Sequence, residues 1–523
     1  MCEGVLSRYN AKIPPTMSCN CAIVAFNERA VIWDYVSRFS KINWNHHSGN
    51  IMDDELMNVE GIKDEPMEDD DDDDGDSDFE DIDEDGNDEG QPGSSNETSK
   101  KVKKLKKKRA YLPGMQMKED ETLVCDESAY ITLHTFTTSA PCLSFDIIPD
   151  SLGPNRSKFP LTSYGVAGTQ AQRSHANSLI VMKMANVYKT QPKSSDDELS
   201  SDESEEEDNL DNDNEEQLTK KPELTVALVP HHGCVNRLRF KFFNEKPLAA
   251  TWSELGSVSI WDLTKPLSVL DDYKLLQEYI KTKEKPKPVF TFKGHRSEGF
   301  ALDWSPTMAG VLATGDSTKF IHVWKPEQST WLVDQRPFTG HTDSVEDIQW
   351  SPSEANVFAS CSVDKSIRIW DVRTKPNKAN MLTKENAHES DINVIHWNPK
   401  DPFIASGGDD CALRIWDLRN FTGGSVAEFK NHHKGPICSV EWSPHESTVL
   451  ASAGEDDQIA IWDLAMERDP EETTEEEVEL PAQLMFVHQG QQDIKEVHWH
   501  PQIPGVLIST SATGFNVFKP ANV

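Results

Sequence analysis

From Tyr111 onward, apolar residues fall in short runs that alternate with polar positions, and clusters of turn-forming residues separate the runs. That period of two marks half-buried strands. Residues 140–148 (APCLSFDII), 163–170 (SYGVAGTQ) and 177–187 (NSLIVMKMANV) read as three strands, and 223–230 (ELTVALVP) as a fourth. Beyond them the chain becomes periodic. A histidine opens each unit, and an aromatic residue ends its third strand 28 to 30 residues later. The pairs are His232 to Trp261, His295 to Trp324, His341 to Trp370, His388 to Trp416, His433 to Trp462 and His488 to Phe518. Trp324, Trp370, Trp416 and Trp462 recur at intervals of 46. Between histidine and aromatic, an apolar strand ends at Trp304-Ser305-Pro306, Trp350-Ser351-Pro352, Trp397-Asn398-Pro399, Trp442-Ser443-Pro444 or Trp499-His500-Pro501. A strand of small residues (VFASCSVD, IASGGDD, VLASAGEDD) follows, then an alternating one such as SIRIWD or ALRIWD.

Gly294-His295 and Gly340-His341, with Trp261-Asp262, Trp370-Asp371, Trp416-Asp417 and Trp462-Asp463, resemble the WD-repeat family. The resemblance spans about residues 125–523 and implies a β-propeller. A twisted four-stranded unit cannot cover both of its faces alone, and ringing the units buries them. Six units plus the four strands before them make seven blades. The fold class is thus all-β: a seven-bladed propeller with an N-terminal helical segment and disordered acidic tracts. The expected layout is 1–109 disordered, 110–139 packing on the propeller, and 140–523 the propeller, with acidic insertions at 190–222 and 466–480. Six residues before the tryptophan the family expects aspartate. Asp364, Asp410 and Asp456 fit, whereas Leu255, Thr318 and Ala512 do not. A chain of hydrogen bonds from histidine through Ser or Thr and Asp to Trp is expected in the matching blades only, leaving blades two, three and seven without it.

Charge changes the picture. The net charge is −37, yet residues 53–89 hold 22 acids, 196–216 hold 13 and 467–479 hold 8, together 43 of 89. The remainder is nearly neutral, so a polyanion is appended to an ordinary globular domain. Such tracts attract cationic proteins and repel nucleic acid, so strongly basic partners are expected and direct nucleic-acid binding is not. Immediately after the first tract, Lys103, Lys104, Lys106, Lys107, Lys108 and Arg109 form a candidate nuclear-import signal. Ser195, Ser201 and Ser204 sit among acids and are candidate phosphorylation sites, each adding about −1.5 to −2 charges.

No constellation recommends an enzyme or a cofactor. The Walker loop, the G-x-S-x-G elbow and the dinucleotide fingerprint are absent. The repeat histidines mark one structural position in successive blades, and the doublets His46-His47, His231-His232 and His432-His433 lack matched ligands, so no metal site is expected. Nine cysteines without a CxxC pair suit a reducing compartment, and no apolar run approaches a membrane span or a secretory signal.

Three segments narrow the family. Asp126 to Tyr130 (DESAY), Ala140 to Ile147 (APCLSFDI) and Ala167 to Ala171 (AGTQA) resemble the glutamate-rich WD-repeat proteins, which are similar to the histone-binding p48-type subunits of chromatin assembly factor. The resemblance implies a nuclear or nucleolar protein that binds core histones and assists with ribosomal proteins. It also implies a site: in p48-type relatives a helix before the propeller and a late acidic loop together grip a histone helix. Here Asp126 can cap a segment through Tyr130, Leu133 and Phe136, though Ala129, Ile131 and Leu133 also alternate like a strand. Glu475, Glu476, Glu477 and Glu479 precede Leu480-Pro481, and Leu484, Met485 and Phe486 re-enter the blade. A competing class of function comes from Trp370-Asp371-Val372-Arg373 and Trp416-Asp417-Leu418-Arg419, which resemble the W-D-x-R box of cullin-RING ligase substrate receptors; Arg373 and Arg419 would dock the adaptor.

Overall fold

The computed structural model describes residues 23–26, 122–190, 221–283, 285–328, 330–467 and 480–523. Most of the expected disordered tracts therefore lie outside the described residues. Seven four-stranded antiparallel sheets form the blades. The four early strands make blade one, as Cys142–Ile148, Leu161–Thr169, Ser178–Val187 and Glu223–Pro230. Blades two to six each use four consecutive strands, their innermost being Val235–Phe243, Leu302–Trp304, Val345–Trp350, Ile392–Trp397 and Ile437–Trp442. Blade seven takes three strands from the C-terminal part, Glu496–Trp499, Leu507–Ser511 and Gly514–Pro520. Its fourth is Tyr130–Thr137, paired antiparallel to Gly514–Pro520 in the register Leu133↔Phe518 and Phe136↔Phe515.

That fourth strand corrects the expected helix. Only one 3-10 turn forms, Glu127–Ala129, and Asp126 does cap it through Ser128 N–H at 3.1 Å. From Tyr130 the alternation prevails, because Gly514–Pro520 presents an edge of unpaired backbone groups that a strand satisfies and a helix cannot.

Apolar clusters bridge adjoining blades, which is why no blade is stable alone. Ala359, Cys361 and Ile369 of blade four pack with Ile395, Trp397 and Ile404 of blade five. Two sets of polar bonds run around the ring as well. The residue preceding each strand-ending aromatic accepts from the next blade's backbone: Phe240 N–H to Asp146 (2.7 Å), Trp350 N–H to Asp303 (2.7 Å) and Trp442 N–H to His396 (3.2 Å). Two residues earlier, Leu238 N–H meets Ser144 Oγ (2.9 Å) and Ile395 N–H meets Asp347 (3.1 Å). Innermost strands have one free edge each, and these side chains satisfy it. The tryptophans of the W-S-P turns add a third link, Trp304 Nε1 donating to Arg239 O at 3.0 Å and Trp350 Nε1 to Asp303 O at 3.1 Å.

The buried relay is present in blades four, five and six as expected. In blade four His341 Nδ1 lies 2.9 Å from Asp364, its Nε2 lies 2.7 Å from Ser360 Oγ, and Trp370 Nε1 donates to the same oxygen at 2.7 Å. The hydroxyl, accepting from Trp370, must give its own proton to Nε2, which makes His341 a neutral Nδ1–H imidazole. Burial pushes the imidazole down from its ordinary value, against Asp364.

Blade three corrects the sequence expectation. Thr318 stands in the family position, but Asp316 supplies the carboxylate, 2.9 Å from His295, with Thr314 linking to Trp324 at 3.0 Å. Blade two uses His231 rather than exposed His232; Thr251 Oγ1 lies 3.2 Å from it, and Gly233 O replaces the aspartate at 2.9 Å. In blade seven His488 stacks on Phe518 at 4.0 Å. We expect His341→Ala to destabilise the protein by about 1–3 kcal/mol, since Asp364 and Ser360 each lose a buried partner. Urea denaturation checks this; a change of a few tenths would mean the relay bears no load.

Candidate partner-binding site on blades six and seven

The outer strand of blade seven runs beside that of blade six. Of the residues picked from sequence, Tyr130 and Phe136 are core, 3% and 4% exposed. Tyr130 stands edge-on to Phe486 with centroids 5.2 Å apart, and its hydroxyl bonds His488 Nδ1 at 2.8 Å. Phe136 packs with Phe145, Ile508 and Phe515. Neither ring is the floor of an open groove. Leu133 is different: half-buried, it rests on the same cluster as Ala129, Met485 and Phe486.

These partly covered side chains form a shallow apolar ledge. Leu484 N–H donates to Pro481 O (3.0 Å), Gln483 Nε2 to Met466 O (3.0 Å), and Asn522 Nδ2 to Met485 O (2.7 Å). Those bonds fix Met466 and Leu480–Pro481, the two edges of the acidic insertion, beside the ledge. Met466 itself is exposed. Glu475, Glu476, Glu477 and Glu479 lie outside the described residues, as do Ser195, Ser201, Ser204, Lys103, Lys104, Lys106, Lys107, Lys108 and Arg109.

Sequence reasoning missed a second element here. After blade one's third strand, Tyr188 to Thr190 crosses to blade seven. Leu133 N–H donates to Thr190 Oγ1 (2.7 Å), Thr190 N–H to Ile131 O (3.0 Å), and Thr132 Oγ1 to Tyr188 O (2.5 Å). The second acidic insertion thus leaves the propeller from the strand that carries Leu133. Only the hydroxyls at 132 and 190 hinted at it, too common to be a signal.

Arg373 and Arg419 lie elsewhere, each folded onto the aspartate of its own W-D pair. Arg373 grips Asp371 at 2.9 and 3.0 Å through Nε, and Arg419 grips Asp417 at 2.8 and 3.1 Å. The arginine hydrogen bond holds the Asp371 carboxyl below its usual range. Both guanidinium groups are about two-thirds exposed, at 67% and 69%. They are preoriented and accessible. A cavity of about 450 Å³ beside Arg419 is lined by Val357, Leu382, Trp397 and Lys400.

Among the described residues, no group of three His, Cys, Asp or Glu is placed to hold a metal, and no helix is long and apolar enough to cross a membrane. What the ledge can do is take an apolar face of a partner while carboxylates of the adjoining insertion orient it.

The blades, their histidine relays and the closing strand define a WD-repeat propeller protein. Residues 333–371, 380–417 and 423–463 match the family described as WD domain, G-beta repeat. Residues 120–188 match the family of the histone-binding protein RBBP4 and its counterpart in the CAF1 complex. The chain is 43% identical to the glutamate-rich WD repeat-containing protein 1 of Dictyostelium discoideum, over 79% of this chain and 85% of that one. It is 43% identical to the Arabidopsis thaliana protein HEAT STRESS TOLERANT DWD 1 (79% and 92% covered) and 41% identical to the Schizosaccharomyces pombe ribosome assembly protein rrb1 (79% and 84%). The chain belongs to the glutamate-rich WD-repeat family.

Proposed function

We propose that this protein is a non-enzymatic nuclear and nucleolar chaperone or scaffold that binds basic proteins, core histones and ribosomal proteins among them. The observation that carries the reading is the match of residues 120–188 to the histone-binding family, because that stretch includes the closing strand and the ledge residue Leu133. The relative described as a ribosome assembly protein supports the ribosomal half. Acidic segments supply long-range attraction and orientation, and the ledge supplies apolar contact. The basic cluster 103–109 would address the protein to the nucleus, and residues 1–109 and the two insertions would serve as solvated polyanions around the propeller.

Calorimetry of the full chain with histone H3–H4 tests the site. Changing Glu475, Glu476, Glu477 and Glu479 together to glutamine should weaken binding about ten-fold at moderate salt, the order expected from several rim charges. Unaltered affinity would remove that insertion from the site. Phe136 is unsuited to the test because it is core.

Exposed Arg373 and Arg419 favour a second reading, a substrate receptor docked on a cullin-RING adaptor. Stoichiometric recovery of an adaptor, lost in Arg373→Ala/Arg419→Ala, would support it; recovery of histones and ribosomal proteins alone supports the first.

A further inference from the structure

Blade two carries an insertion between Asp262 and Phe290 that the other blades lack. Its helix Tyr273–Lys281 is capped by Asp272 and lies against blade one: Leu276 and Tyr279 are buried, and Tyr279 OH donates to Leu228 O at 2.9 Å. Asp271 ties the same insertion to Lys183 (2.6 Å) and Tyr164 (2.7 Å). Beyond the helix, Lys285 folds over the Tyr279 ring at 4.7 Å. Its neighbours Lys281, Lys283, Lys287, Lys293 and Arg296 are all exposed.

From 273 to 296 there are seven Lys or Arg and two Glu, in a chain of net charge −37. Elsewhere exposed lysines have found carboxylates, as Lys430 has Glu389 and Glu428. Among the described residues, none of these five cations forms an ion pair. The strip borders a cavity of about 940 Å³ lined by His232, Lys287, Lys293 and Arg296. The two carboxylates there are engaged inward: Glu254 accepts from Cys234 N–H (2.9 Å) and Glu298 from Asn236 (2.9 Å). Positive charge is therefore what faces outward.

We propose that the acidic segment 191–220 of this same chain docks in cis on the cationic strip from Lys281 to Arg296. Charge and tether argue for this occupant. The segment holds 13 acids against Lys193 and Lys220. It leaves at Thr190 and returns at Lys221, both at the Glu223 end of blade one's outer strand, since Ala185 pairs with Glu223. The cavity lies at the Pro230 end of that strand, roughly 25 Å away at about 3.3 Å per residue. Thirty residues span that distance out and back with slack, and so short a tether holds the segment at about millimolar local concentration. The insertion re-entering at Leu480 belongs to blade six, three blades off. Leu199 and Leu210 within the segment also match the exposed apolar neighbours of the strip, Ile280 at 55% and Val289 at 47%. Docking would withhold this part of the polyanion from basic partners until they compete for it.

Carbodiimide cross-linking of the full chain at low concentration, read by mass spectrometry, tests the contact without any histone. It should yield intramolecular bonds from Lys281, Lys283, Lys287 or Lys293 to acids of 196–216, lost in 0.5 M salt, on the order expected for exposed charges. A full-length variant with those acids made Asn or Gln should bind the 191–220 peptide added in trans. Adding Lys281→Gln, Lys283→Gln, Lys287→Gln and Lys293→Gln should weaken that binding at least about ten-fold, with circular dichroism unchanged. Bonds joining two copies, bonds from 53–89 or 467–479 to the strip, or peptide affinity indifferent to the lysines would overturn the proposal. So would tight binding of single-stranded RNA that depends on the same four lysines.

Discussion

Replacing Glu496 with alanine is expected to cost the propeller about 3–5 kcal/mol, the loss seen when one partner of a buried ion pair is removed. Glu496 sits on the innermost strand of blade seven with its side chain 1% exposed. Arg237 reaches it from blade two at 2.6 Å and Arg239 at 3.0 Å, and both guanidinium groups are nearly buried. Phe145 N–H (2.9 Å) and Ser144 Oγ (3.0 Å) of blade one donate to it, and His498 Nε2 lies 3.3 Å off. Burial opposes the charge, but Arg239, His498 and Arg237 outweigh it and hold the carboxyl well below its usual range. One carboxylate thus joins three blades across the centre of the ring. Alanine leaves two desolvated cations, whereas methionine at 237, 239 and 496 together should restore most of the loss. Chemical denaturation of the single and triple variants decides; a loss under about 1 kcal/mol for the single variant would mean that water screens the centre.

Acid is the second large lever. Burial pushes the imidazoles of His488 and His500 down to about 3, and those of His396 and His432 to about 4. The unfolded chain takes up these protons near 6.5, so their contribution is whole above that pH and drains as pH falls toward the folded values. Each such group removes about 1.4 kcal/mol per pH unit across that window. Asp303 acts in the opposite sense. Burial pushes its carboxyl up to about 7, so it adds stability over the same descent, and Asp146 and Asp347 are raised likewise. The histidines outnumber these carboxylates, because burial also lowers His231, His295, His341 and His388. On the alkaline side, burial opposes the charge of His498, but Glu441 and Glu496 push it up to about 10; its contribution is whole below 6.5 and lost as pH climbs toward 10. Denaturation midpoints should therefore peak near neutrality and drop by at least about 1.4 kcal/mol per pH unit between 6 and 4.5. A flat profile there would contradict neutral buried histidines.

The propeller was legible because its blades repeat: Trp324, Trp370, Trp416 and Trp462 at one interval admit little else. Reading blades one by one was less secure. Asp316 escaped because a turn that is two residues displaced still brings a carboxylate to His295, and spacing alone does not show that. His231 and His232 are adjacent and chemically identical, and only burial against Trp261 separates them. Tyr130–Thr137 failed for a different reason. Its partner lies at Gly514–Pro520, and a pairing so distant leaves no trace in a local window. The same distance hid Tyr130 and Phe136 as core residues. The arginines of the W-D-x-R boxes stand as expected at the strand ends, and Leu133 keeps a half-open place, but the charge network around Glu496 had no sequence signature. Its members are single residues of blades one, two, six and seven.

The strand that closes the ring also sets the order in which a ribosome can deliver it. Tyr130–Thr137 emerges ahead of every other propeller strand, and its mate follows about 380 residues later, a wait of roughly 20–80 s at ordinary elongation rates. Throughout translation the nascent chain carries an orphaned, aromatic strand able to pair with a neighbour on the same polysome. The aspartate tract at 53–89 has already left the exit tunnel by then, and like-charge repulsion between adjacent nascent chains keeps those strands apart until the last blade arrives.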